Sequence, residues 1–243
     1  AAIPIEGIYT DTTHHSYTDD TIKCGTVTGR ASTGGATTHT VTINNDAVAT
    51  IEGGGGDAVI STGVTTTTIS NAGIIRANGS GKAVDFGTGA NDVLSITGGN
   101  AQIIGDIYGG TGNSTLIINP GTGNSFSYGG TISGFSLIEL GSGTIALSGT
   151  NNYSGLTKLT AGTLSLGSNS ALGTGALEMA ANTTLSFASS GLTVANAISL
   201  DGDPTIEVAS GTDTLAGTLS DGTDPGDLVK TGAGTLVLTG LLG

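Results

Sequence analysis

Cleavage of a polysaccharide would need carboxylates in pairs, and acids dominate the ionisable residues here, 19 against 6 Lys and Arg. That chemistry asks for clustered acids, usually with a cation alongside to steady a developing anion. Asp85, Asp92, Asp106, Glu139, Glu178, Asp201, Asp203 and Glu207 are instead spread along the chain. Asp85 and Asp106, 21 residues apart, are the pair that a repeat of that length would stack. The cations are Arg30, Arg76 and the four lysines Lys23, Lys82, Lys158 and Lys230. Stacked carboxylates without a neighbouring base read as solvated corners, so no catalytic residue is expected.

Other reactive groups are equally isolated. His14 and His15 lie near Asp11, Asp19 and Asp20. Neighbours on an extended chain point to opposite sides, so two adjacent histidines chelate one ion poorly. Cys24 needs a base to act as a nucleophile, and nothing sets His39 beside it. Gly53–Gly56 with Asp57 lacks the Lys-Ser/Thr of a phosphate loop. Gly87-Thr-Gly-Ala-Asn-Asp-Val-Leu94 and Gly109-Gly-Thr-Gly-Asn-Ser-Thr-Leu116 share glycines with the calcium-binding nonapeptide. They sit 22 residues apart without a tandem run, and only the first has the Asp. They read as corners between strands. No metal, no cofactor and no particular binding residue is expected.

The elements that would position these groups are short strands. Thr40-Val-Thr-Ile43, Val93-Leu-Ser-Ile96, Thr115-Leu-Ile-Ile118, Thr144-Ile-Ala-Leu147, Thr163-Leu-Ser-Leu166, Thr184-Leu-Ser-Phe187, Thr205-Ile-Glu-Val208 and Thr235-Leu-Val-Leu238 recur along the chain. Most alternate an apolar residue with Thr or Ser, and Gly, Asn and Asp punctuate them. Leu164 and Leu185 are 21 apart, as are Leu166 and Phe187, and Leu185 and Ile206. Ile145 to Leu164 is 19 and Leu94 to Leu116 is 22. A period near 20 with two or three short strands per repeat predicts a parallel β-helix, or β-solenoid, of about eleven turns. Trp is absent, Phe counts 4 and Tyr 5, too few large anchors for the rival β-sandwich. Residues 36–243 are assigned to the β-helix. Residues 1–35 break the repeat and are expected to be an irregular N-terminal segment, a cap on the open solenoid end or a specific binding element.

Composition narrows the function classes. Hydrophobic residues at 36% and a mean hydropathy of +0.20 argue against disorder. A net charge of -13 leaves no basic stripe for nucleic acid. No apolar run approaches the roughly 18–20 residues that span a bilayer. One cysteine cannot make an internal disulfide framework. Ala1-Ala2-Ile3-Pro4 fits the remnant of a cleaved signal peptide.

One phrase repeats. Gly141-Ser-Gly-Thr-Ile-Ala-Leu-Ser-Gly149 leads into Thr150-Asn-Asn-Tyr-Ser-Gly155 and Leu156-Thr-Lys-Leu-Thr-Ala-Gly-Thr-Leu-Ser-Leu166. Its opening returns as Leu228-Val-Lys-Thr-Gly-Ala-Gly-Thr-Leu-Val-Leu-Thr-Gly240, without the Asn-Tyr-Ser-Gly turn. This resembles the autotransporter-associated β-strand repeat of bacterial autotransporter passenger domains. Lys82–Gly87, Ala90–Ile96, Ile104–Gly110 and Ile132–Leu140 resemble the passenger turns that precede it, so the likeness covers about Gly53 to Gly240. It implies a right-handed β-helix exported from a Gram-negative cell, with an outer-membrane barrel that has no counterpart in these residues. This stretch is therefore expected to be secreted or on the bacterial cell surface, without membrane insertion of its own. The implied function is that of an adhesin or host-receptor-binding virulence factor, with a host cell-surface protein or glycan as partner. A released effector of a host receptor and a carbohydrate-active β-helix enzyme are the alternatives.

Overall fold

The computed structural model describes the side chains of residues 42–53, 56–61, 66–88 and 91–243. Before these it describes the backbone of four strands, Ile8–Thr10, His15–Tyr17, Thr21–Thr28 and Ala31–Gly35. Among the described residues there is no helix; the fold is all-β, with parallel strands stacked as a β-solenoid. The chain divides into two compact units, Ala1–Ile117 with Gly130–Ser136, and Ile118–Gly129 with Leu137–Gly243.

In the first unit each turn visits three strand columns. Ile43 pairs with Ile69, and Ile69 with Leu94. The second half of the long strand Thr40–Glu52 starts another column, Ile51 on Ile75 on Ile103. A third runs Val59, Val84, Ile107, Ile132. Each of these side chains is buried, none more than 8% exposed. Equivalent aliphatic residues thus cover one another at about 4.8 Å intervals, and each burial is worth about 1.5–3 kcal/mol.

In the second unit the alternation is stricter, because the rungs are shorter. Phe126, Ile145, Leu164, Leu185 and Ile206 form one inner column, and Tyr128, Leu147, Leu166 and Phe187 the next. The spacings of 19 and 21 read from the sequence are the pairing registers of Ile145 with Leu164, and of Leu164 with Leu185. Leu164 and Leu185 face the interior at 0% exposure.

The solenoid makes about nine turns, fewer than the eleven expected. Rungs of the first unit are longer than the repeat of the second. Ile43 reaches Ile69 only after 26 residues, and Ile69 reaches Leu94 after 25. The parallel ladder also enters the segment expected to be irregular: Ile22 lies opposite Ile43, His15 opposite Ala31, and Ala31 opposite Val59.

Candidate functional site

The carboxylates occupy corners and outer faces, where each satisfies a local need. Asp85 and Asp106 do not stack. Tyr108 lies opposite Asp85, and Lys82 opposite Asp106, because the register slips between Asp106 and Ile107. A slip of this kind moves every following side chain relative to its neighbour, which uniform spacing cannot foresee. Lys82 Nζ is 2.6 Å from Asp85 Oδ2 and 5.4 Å from the Tyr108 ring centre. The Asp85 hydrogen bond holds the Lys82 ammonium above its usual range, while burial pulls it the other way. The Gly87 N–H donates to Asp85 Oδ1 at 2.9 Å, and the Thr131 N–H to Asp106 Oδ1 at 2.8 Å.

The remaining acids follow the same rule. Asp57, at the end of the glycine run, accepts the Lys82 N–H; Gly54 and Gly55 lie outside the described residues. Asp201 and Asp203 accept the N–H groups of Asp224 and Asp227. Glu139, Lys158 and Glu178 occupy one outward column, with Lys158 Nζ 3.1 Å from Glu178. Glu207 lies on the outer side of its strand, next in register to Ser186.

Asp92 is the exception. Its side chain is 0% exposed. The Thr67 N–H donates to Oδ1 at 2.6 Å, but Oδ2 has no partner, and neither has the buried Ser114 hydroxyl. Burial pushes the Asp92 carboxyl up to about 6, with the Thr67 hydrogen bond opposing that shift. Asp92 precedes its strand at the place Thr67 takes one rung earlier and Ser114 one rung later. The recurrence of small polar residues at 67, 92 and 114 was the available signal. A carboxyl enclosed in this way cannot meet a polymeric substrate, and no cation is hydrogen-bonded to it.

The Asn-Asn-Tyr-Ser-Gly turn is spent on the wall. Asn151, Tyr153 and Gly155 point inward and alternate with the exposed Asn152 and Ser154. The Asn151 amide donates to the Ala171 carbonyl at 2.6 Å, reaching the next rung. The Tyr153 hydroxyl sits 3.0 Å from Thr157 Oγ1, and its burial raises the phenol to about 12. Asn196 donates to the carbonyls of Gly173 and Gly175 in the same manner. Buried amides at corners supply hydrogen bonds that a turning backbone leaves unmade.

Two surface concavities are present. One, of about 270 Å³, is lined by Ala47, Val48, Ala49, Ile74, Gly99, Asn100 and Gln102. The other, of about 250 Å³, is lined by Asn169, Ser170, Gly173, Thr174, Ala195 and Asn196. Neither lining includes a titratable side chain. His14, His39, Asp11, Asp19 and Asp20 lie outside the described residues, as do the side chains of His15 and Cys24. Among the described residues no three His, Cys, Asp or Glu gather as metal ligands, and no helix is long and apolar enough to cross a membrane. Compared with protein-family models, curated proteins and solved structures, the chain finds no match.

Proposed function

We propose that the chain is a segment of an exported autotransporter passenger and acts as an adhesin, binding a host cell-surface protein or glycan. The observation that carries this reading is the division of labour within the repeated phrase Gly141–Leu166. Its apolar residues, Asn151 and Tyr153 are consumed in holding rungs together. What faces solvent is a neutral field of hydroxyls and amides, including Thr144, Asn152 and Ser154. Such a surface offers many weak polar contacts and little reactivity, as binding without turnover requires. The scattered carboxylates favour it over a carbohydrate-active enzyme, since they serve as hydrogen-bond acceptors or ion-pair partners at single corners. The test is binding of labelled, purified protein to cultured mammalian cells in the presence of unlabelled protein. Saturable binding that the unlabelled protein displaces is expected. Binding that neither saturates nor yields to competition would overturn the reading.

A further inference from the structure

The chain contains four Asn-x-Ser/Thr triplets with x other than Pro: Asn78-Gly-Ser80, Asn113-Ser-Thr115, Asn152-Tyr-Ser154 and Asn182-Thr-Thr184. This triplet is the acceptor signal for N-linked sugars, and it serves only where the amide reaches solvent. All four asparagines are exposed. The buried amides at Asn45, Asn71, Asn151 and Asn196 belong to no such triplet.

The geometry adds more than accessibility. In three triplets the middle residue is turned into the wall: Ser114 at 0%, Tyr153 at 1% and Thr183 at 1% exposure. Alternation along an extended chain then sets the amide and the hydroxyl two residues on along the same outer side. Asn113 with Thr115, Asn152 with Ser154, and Asn182 with Thr184 are so placed. In the fourth, Asn78, Gly79 and Ser80 form a wholly exposed turn, with Gly79 at φ 63°. Asn182 is the one non-glycine residue with positive φ among the described residues, which lifts its amide from the end of the preceding strand.

We infer that Asn78, Asn113, Asn152 and Asn182 are acceptor sites for N-linked sugars, two on the corners of each unit. The co-substrate is a diphosphate-activated sugar. In the transfer, the bond from sugar C1 to the diphosphate oxygen breaks, and the diphosphate leaves with the electron pair. A bond forms from C1 to the asparagine Nδ2, which loses one proton to a base of the transferase. The inference gains its biological setting from the exported-adhesin reading, but its chemistry can be tested separately.

The purified, folded chain is incubated with a sequon-specific soluble N-glycosyltransferase and UDP-glucose, then digested and its peptides weighed. Hexose increments are expected on the peptides holding the four asparagines. The peptide of exposed Asn100, which has Gln102 two residues on, should carry none. Ser80→Ala and Ser154→Ala should abolish the increments at Asn78 and Asn152 alone, with the β-sheet circular dichroism unchanged. A folded chain that stays unmodified, or is modified only after denaturation, would overturn the inference. Failure to bind cells would count against the adhesin reading and leave this result standing.

Discussion

At the scale of single residues, Asp92 should have the clearest solution signature. Its carboxyl is raised to about 6 in the folded chain, above the ordinary value of 3.8, so the folded state holds more protons than the unfolded one. The stabilisation is therefore complete below about pH 4 and is lost as the pH climbs through about 6, on the order of 2 kcal/mol in all. Asp92→Asn keeps an acceptor for the Thr67 N–H and removes the charge. Urea unfolding between pH 4 and 7.5 should show this slope in the native chain and a flatter dependence in Asp92→Asn. Identical slopes would mean that Asp92 is not enclosed. The sequence pattern marked Asp92 as a solvated corner, because Asn91, Asp92 and the nearby glycines carry every sign of a turn. Which side of the wall a turn residue faces is decided by the rung beneath it, here Thr67.

At the scale of elements, the second unit was legible and the first less so. Ile145, Leu164, Leu185 and Ile206 recur with near-constant spacing, and their pairing follows it. Asp85 and Asp106 have the same spacing, yet a slipped register parts them. Spacing reports register only while no rung gains or loses a residue. The Gly-Thr-Leu entry to each strand carries a stronger constraint. Gly143 and Gly162 hold φ of 98° and 76° on adjacent rungs, and a Cβ on Gly162 would run into the Gly143 carbonyl oxygen. Gly162→Val therefore meets both an unfavourable backbone region and a clash, and should cost about 3 kcal/mol or more in urea unfolding. Exposed pairs such as Lys158–Glu178, with both partners about two-fifths accessible, contribute under about 1 kcal/mol. A Gly162→Val chain as stable as the native one would show that the two rungs do not approach so closely.

At the scale of the whole molecule, stability is a sum of contacts between neighbouring rungs, since no rung buries its apolar face alone. The low aromatic content, 4%, is sufficient because Ile, Leu and Val cover their own equivalents in thin layers. A net charge of -13 keeps the β-rich surface apart from other copies. Both follow from composition, whereas the number of turns required knowing how many residues each rung spends on its corners.

Hydrogen exchange of a Leu164→Asp chain tests the stacked column most directly. The substitution places an unpaired charge between Ile145 and Leu185, at a cost of about 4 kcal/mol or more. Protection should collapse in Thr144–Leu147, Thr163–Leu166 and Thr184–Phe187, and persist in Lys82–Asp85 of the first unit. Native-like protection across all four strands would contradict an inward Leu164 and the column built on it.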